Sequence, residues 1–261
     1  MEKLTIVKVG GKVVEEEGSL KKLLTDFRYI SGYKILVHGG GRSATNLAAQ
    51  MGIETKMVEG RRVTDKQTLD IVTMVYAGLV NKNIVAGLQA LGCNAVGFTG
   101  ADMDIIRSFK RPVKDIDYGF VGDITEVNTR EICWLLEQNI VPVIAPLTHD
   151  GKGLLLNTNA DTIASELAIA FSNHYNVTLV YCFEKNGVLL NPEDDNSVIR
   201  DLNRKAYMDY KSKGIISEGM IPKLDNAFKA LGNGAARVLI TKAENLTKSA
   251  ATGTSIIKDE A

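Results

Sequence analysis

Six short apolar runs recur along the chain: Leu4–Val9, Lys34–His38, Ala95–Thr99, Val141–Ala145, Val177–Phe183 and Arg237–Thr241. They run apolar through most of their length instead of alternating with polar residues, so each reads as a strand buried on both faces, the pattern of a parallel sheet. Parallel neighbours need a crossover, and helical patterns fill most of the intervals. The longest spans Asp65 to Leu91. Thr64 with Gln67 predicts a capping box at its start, Leu69, Val72, Tyr76 and Leu79 an apolar stripe, and Gly92 its end. Asn128 and Glu131 repeat the capping signal ahead of Ile132, Leu135 and Leu136. Strands alternating with helices predict an α/β sandwich with helices on both faces of the sheet. Residues 104–127 break the alternation: they are polar, contain Lys110-Arg111-Pro112, and predict antiparallel excursions at the rim. No repeat or linker marks a boundary, and the loop Ser172–Asn176 is the best place for one.

Basic and acidic residues balance at 31 each, which gives no basic excess for a nucleic-acid or membrane partner. Cys93, Cys133 and Cys182 are far apart and read as small buried hydrophobes; His38, His149 and His174 do not join them, so no zinc site is expected. The first apolar run is too short for a signal sequence and contains Lys8. A cytoplasmic protein is expected.

Four segments carry chemistry. In Lys8-Val9-Gly10-Gly11 a lysine stands near the carboxyl end of the first strand, where ligands gather in open parallel sheets. An ammonium in an apolar strand is costly unless it faces an anion; a lysine reaching solvent is an equally good account of the segment alone. His38-Gly39-Gly40-Gly41 lies between a strand and a helix over Ser43–Met51, an arrangement that makes an anion cradle from bare N–H groups. Gly39, Gly41 and Ala44, with Glu59 beyond, also fit a dinucleotide fingerprint, so a nicotinamide-dependent oxidoreductase is the rival of another class. In Asn157-Thr158-Asn159-Ala160-Asp161, capping explains Asn159 and Asp161 but not Asn157. In Gly214–Lys223, Pro222 opens a helix with Leu224, Phe228 and Leu231 on its apolar face, which leaves Lys223 at the positive end of the dipole. A bound anion would make that placement favourable.

These segments, with Gly60-Arg61-Arg62-Val63-Thr64, resemble the amino-acid kinase superfamily over essentially the whole chain, and within it the branch that acts on N-acylglutamates. The resemblance implies a three-layer αβα sandwich around a mostly parallel sheet of about eight strands. It implies ATP-dependent phosphorylation of the side-chain carboxylate of N-acetylglutamate, in arginine biosynthesis. Residue by residue, it gives Lys8 and Lys223 the stabilisation of the transferred phosphoryl group and Asp161 the orientation of both lysines. Gly40, Gly41, Arg62 and Asn157 would hold the acylglutamate, with Arg62 on a carboxylate. Gly10, Gly11, Glu184, Gly187, Val188, Ile215, Glu218, Gly219 and Met220 would hold ATP. Residues 1–175 would form the acceptor lobe and 176–261 the ATP lobe. Mg²⁺ would arrive on the nucleotide, with no dedicated metal site.

Two departures stand out. Phe183-Glu184-Lys185 replaces the usual Thr/Ser-Asp-Val of the nucleotide loop, and Arg42-Ser43 follows the glycine triplet where a proline is common. A cation at position 42 beside the substrate pocket keeps N-succinylglutamate open as an alternative acceptor. Only Met1, Glu2 and Lys3 precede the first strand, too few for the helix that links arginine-responsive relatives into rings. A homodimer through the long helix is expected, with little inhibition by arginine.

Overall fold

The computed structural model describes residues 1–58, 61–216 and 219–259. Its strands in chain order are β1 Lys3–Val9, β2 Tyr33–His38, β3 Met57–Val58, β4 Arg61–Arg62, β5 Ala95–Phe98, β6 Ile106–Lys110, β7 Gly122–Val127, β8 Val141–Ile144, β9 Leu147–His149, β10 Leu155–Asn157, β11 Asn176–Phe183, β12 Asp201–Leu202, β13 Arg237–Lys242 and β14 Thr254–Ile256. Eight of them form the main sheet in the order β12-β14-β13-β11-β1-β2-β8-β5. All neighbours run parallel except β13 and β14. The six predicted strands make the centre and one edge. The short β12 and β14 carried too few residues for a sequence pattern.

The helices that matter to the site are α1 Gly11–Glu15, α2 Glu17–Arg28, α3 Gly41–Gln50, α4 Lys66–Ala90, α5 Thr129–Glu137, α6 Ala160–Phe171, α7 Arg204–Ser212 and α8 Ile221–Gly232. Side chains of successive strand residues leave the sheet on opposite faces. Leu4, Ile6, Ile35, Val37, Leu179 and Tyr181 therefore meet α5, α6, α7 and α8 in one core layer. Val7, Val9, Leu36, Val143, Val180 and Cys182 meet α1, α2, α3 and α4 in the other. The result is a three-layer αβα sandwich. Residues 104–127 do form antiparallel strands: β6 and β7 pair and join β9 and β10 in a four-stranded sheet. Far from being a mere rim, that sheet walls the candidate site.

Two local expectations are corrected. Asp65, not Thr64, caps α4, with its carboxylate accepting from the Thr68 N–H at 2.8 Å. Thr64 instead donates to the Arg62 carbonyl and accepts from Asn157. Nor is α4 regular: Thr73–Val80 is a π turn. Its extra residue per turn rotates the stripe, so Val72, Val75 and Tyr76 are buried while Leu79 is 58% exposed. Helix α4 is long and apolar enough to cross a membrane, yet Leu69, Val72, Ile84 and Leu88 pack it into the core. Of the three cysteines, Cys93 and Cys182 are buried and Cys133 is half-buried.

Candidate active site

Lys8 stands near the carboxyl end of β1, in register with Val37 and Tyr181. By alternation it leaves the sheet on the side of Ile6, towards α6 and α8. There its Nζ meets Asp161 Oδ1 at 2.7 Å. Lys223, in the first turn of α8, brings its Nζ to the other carboxylate oxygen at 3.1 Å. One carboxylate thus holds two ammonium groups from distant parts of the chain. Local structure sets this up. Asn159 caps α6 by accepting from the Asp161 and Thr162 N–H groups, and the Tyr181 hydroxyl donates to the Asp161 carbonyl at 3.1 Å. Pro222 opens α8, and Ser165 ties α6 to it by donating to the Asn226 carbonyl.

The cluster is nearly dry, with the Lys8 and Asp161 side chains 8% and 6% exposed. Burial lowers the Lys8 pKa below its ordinary value; Asp161 opposes that shift and Lys223 adds to it. Burial pushes the Asp161 carboxyl up, but the two ammonium groups outweigh it and hold it below the usual carboxylate range. Two cations against one anion leave a net positive charge at the N-terminal ends of two helices. Among the described residues nothing in the cluster balances it, so the arrangement favours an incoming anion.

The glycine segments form the opposite wall. Gly10 N–H donates to the Cys182 carbonyl at 2.9 Å and Gly39 N–H to the Val9 carbonyl at 3.0 Å, which pins both loops to the strand ends. They touch each other so closely that a Cβ on Gly39 would lie 3.0 Å from the Gly11 nitrogen. Gly40, the residue before α3, has φ 157° and would place a Cβ 3.1 Å from the Tyr76 ring. A Cβ there would force the Tyr76 ring to give way. The Ser43 N–H is taken by Glu15 and the Ala44 N–H by the Gly40 carbonyl, so among the described residues it is the Gly40 and Gly41 N–H groups that are left for a ligand.

Two cavities meet at this cluster and share Lys8 and Gly11 in their walls. Of the residues picked from the sequence, Gly40, Gly41, Arg62, Asn157 and Asp161 line the first. Gly10, Glu184, Gly187, Val188, Ile215, Gly219, Met220 and Lys223 line the second. Glu218 lies outside the described residues, as do Glu59 and Gly60. Arg62 donates through one terminal nitrogen to the Gly41 carbonyl at 2.7 Å and to Thr45 Oγ1 at 2.8 Å. Its other terminal nitrogen is buried with no hydrogen-bond partner among the described residues, which leaves half the fork for a ligand. Asn157 Nδ2 donates to Thr64 Oγ1 at 3.0 Å, which joins the third segment to the Arg62 strand.

Residues not picked from the sequence also line the cavities. Tyr76, Arg61, Arg111 and Asp123 stand in the first, and Lys12 and Lys185 in the second. Arg111 forks onto Asp123 across the β6–β7 pair, at 3.0 Å from Nε to Oδ2. Arg42 is corrected: its side chain is 61% exposed and turns 3.7 Å from Glu15, away from both cavities. Glu15 also accepts from the Ser43 N–H and hydroxyl, so the Arg42-Ser43 departure closes the α1–α3 contact and leaves the pocket unaltered.

The sequence pattern of the amino acid kinase family matches residues 3–242. The chain belongs to the amino acid kinase family. It is 63% identical over 246 residues to an acetylglutamate kinase of Parabacteroides distasonis, covering 94% of this chain and 96% of that one. It is 62% identical over 251 residues to an acetylglutamate kinase of Phocaeicola vulgatus, covering 96% and 98%. The fold is also that of the N-acetylglutamate synthase of Neisseria gonorrhoeae complexed with coenzyme A and N-acetylglutamate. The TM-score there is 0.85 at 23% identity, over 99% of this chain and 60% of the synthase. Family membership sets aside a dinucleotide oxidoreductase: the Gly39–Ala44 match belongs to the glycine turn ahead of α3, and that chemistry would leave Lys8, Lys223 and Asn157 without a role.

Proposed function

We propose that this chain phosphorylates the side-chain carboxylate of N-acetylglutamate with ATP, in arginine biosynthesis. The observation that carries the proposal is the junction: two cavities share a wall at Lys8, and Lys8 and Lys223 are held on one carboxylate. The names of relatives above 60% identity support it. The nucleotide belongs in the second cavity, the roomier at about 430 against 210 Å³. Val188, Leu189, Ile215 and Met220 give it an apolar wall for a base, and the lysines receive the phosphates. The acylglutamate belongs in the first, with a carboxylate on the unspent Arg62 nitrogen and the side-chain carboxylate directed at Lys8. Residues 1–175 would then serve the acceptor and 176–261 most of the nucleotide, although Lys8 and Gly10–Lys12 also line the second cavity.

The chemistry follows from charge. The nucleophile has a pKa of roughly 4 and is ionised at neutral pH, so no general base is needed. The barrier is repulsion between two anions, and fixed cations with N–H donors on the transfer line lower it. Mg²⁺, carried by the nucleotide with waters still attached, neutralises phosphate charge. Exposed Met74 and Leu79 on α4 support a homodimer with the same patch on both subunits. The working compartment is the cytoplasm.

A second acceptor is favoured by one observation. Arg61 joins Lys8 and Arg62 in the first cavity, where Arg111 is already paired with Asp123, and this added cation suits an acyl group ending in a further carboxylate, such as succinyl. Hydroxylamine trapping with ATP, Mg²⁺ and N-acetyl-, N-succinyl- and free glutamate decides between them, because acyl phosphates yield hydroxamates. Hydroxamate from an N-acylglutamate and little from free glutamate is expected. No turnover of any N-acylglutamate sinks the proposal.

A further inference from the structure

His38 is fully buried and takes no part in the chemistry above, yet it immediately precedes the glycine turn. Alternation sends it to the face opposite Lys8, with Leu36, towards α3 and α4. Its Nδ1 lies 2.7 Å from the Gly39 carbonyl, which can only accept, so Nδ1 carries the proton and donates. Nε2 is left as an acceptor and takes a hydrogen bond from Asn81 Nδ2 at 3.1 Å. Asn81 spends its other N–H on the Val143 carbonyl at 3.0 Å, and its Oδ1 accepts from Lys82 Nζ at 3.2 Å. Every polar group of the pair is matched, and burial pushes the imidazole pKa down to about 4, which keeps this tautomer through the neutral range.

The π turn makes the pair possible. Asn81 N–H donates to the Tyr76 carbonyl, a bond spanning five residues. In a regular α-helix, residues five apart lie about 140° around the axis. Widening the turn brings Tyr76 and Asn81 round towards one side. Tyr76 then packs on Gly40, and Asn81 reaches Gly39 through His38. The far side is equally tight: a Cβ on Gly97 of β5 would lie 1.7 Å from Asn81 Oδ1.

We propose that His38 and Asn81 are positioning residues for phosphoryl transfer, which together with the π turn fix where the Gly39–Gly41 turn presents its N–H groups. The proposal rests on the kinase function proposed above. A π turn is a costly irregularity, and such turns are common at functional sites. Here Tyr76 within it and Asn81 at its end both bear on the glycine turn that lines the first cavity. Satisfying a core histidine alone would not require Tyr76 to press on Gly40.

Asn81→Asp tests this with almost no change of shape. It sets a carboxylate oxygen against the Nε2 lone pair, a contact that becomes favourable only when His38 takes a second proton. Among the described residues, the charged group acting on His38 is Lys82, which bonds the opposite amide oxygen. The carboxylate raises the His38 pKa, so the link holds at low pH and is lost as pH rises through the new value. With ATP and N-acetylglutamate saturating, kcat of Asn81→Asp relative to the unmutated enzyme is expected to fall at least about fivefold between pH 6 and 8.5, with KM for ATP nearly constant. His38→Asn keeps an N–H near the position of Nδ1 but no acceptor for Asn81, and is expected to lose on the order of tenfold in kcat at all pH values. Folded variants that keep wild-type kcat and a parallel pH profile overturn the proposal. Where neither variant folds, ¹⁵N NMR of the unmutated protein decides: His38 as the Nε2–H tautomer overturns it. Absence of kinase activity in the unmutated enzyme counts instead against the function proposed above.

Discussion

Replacing Asp161 with asparagine removes one charge and almost no volume. Its oxygens sit 2.7 Å from Lys8 Nζ and 3.1 Å from Lys223 Nζ, inside a nearly dry cluster. At an effective dielectric constant of about 20, unit charges 4 Å apart interact by about 4 kcal/mol. Losing that attraction removes the main influence holding the Lys8 pKa up, so it falls further below its ordinary value. Burial and Lys223 already depress it, and with the carboxylate gone nothing in the pair opposes them. The sign is definite: an ammonium with a lowered pKa loses its charge as pH rises through that value. Asp161→Asn is therefore expected to cut kcat by at least ~100-fold at pH 8, the scale of losing one transition-state donor. Partial recovery is expected towards pH 6. The unmutated enzyme, whose carboxylate stays ionised well below neutrality, should give a nearly flat kcat between about pH 6 and 8. Breaking a buried pair costs about 3–5 kcal/mol, within the 5–15 kcal/mol of a typical domain, so thermal unfolding must accompany the rates. A loss of kcat equal at every pH, or none, would refute the linkage between the carboxylate and Lys8.

Lys8→Ala and Lys223→Ala should each lower kcat by at least ~100-fold with a smaller effect on ATP binding; a change confined to KM would mean uniform binding. Arg62→Ala should raise KM for the acylglutamate on the order of 10- to 100-fold and leave KM for ATP near its original value, and an effect mainly on ATP would put the two ligands in the opposite cavities. Stability contributed by Asp161 should be present above the ordinary carboxylate pKa and disappear as pH falls through its depressed folded value, so acid unfolding of Asp161→Asn should be the less pH-dependent. Light scattering should return twice the 28.4 kDa chain mass; a monomer at micromolar concentration would remove the proposed interface on α4.

The six predicted strands were legible because burial writes a nearly uninterrupted apolar run, and the capped helices because Asn128, Asn159 and Pro222 mark their starts. The π turn was not legible. Its apolar residues fit a regular stripe almost as well, and only the exposure of Leu79 and the inward turn of Asn81 distinguish the two. Asp65 displaced Thr64 as the cap because adjacent Thr and Asp offer the same chemistry, and Thr64 is engaged by Asn157, which lies 93 residues away. Arg111 and Asp123 reach the first cavity through the β6–β7 register, which local sequence does not specify.

The site residues that were visible share a property: each breaks a local rule. Lys8 is an ammonium in an apolar strand, Lys223 a cation at the positive end of a helix, and Gly39–Gly41 a run that forgoes side chains between two regular elements. Each violation costs stability unless something compensates it, and Asp161, though it holds both lysines, brings one negative charge against their two positive ones. The remaining positive charge is what an approaching pair of anions requires, so the misfit seen in the sequence and the charge seen in the cluster are the same fact. Tyr76, Asn81 and His38 break no rule. A tyrosine on an apolar stripe, an asparagine within a helix and a histidine at a strand end all have ordinary structural accounts. Their bearing on the glycine turn exists only in three dimensions, where the π turn aligns Tyr76 with Asn81 and sets them close against Gly40 and Gly97. Residues that carry charge to the reaction announce themselves in sequence, whereas residues that hold those groups in place are found by following hydrogen bonds and close contacts outward from the cavity.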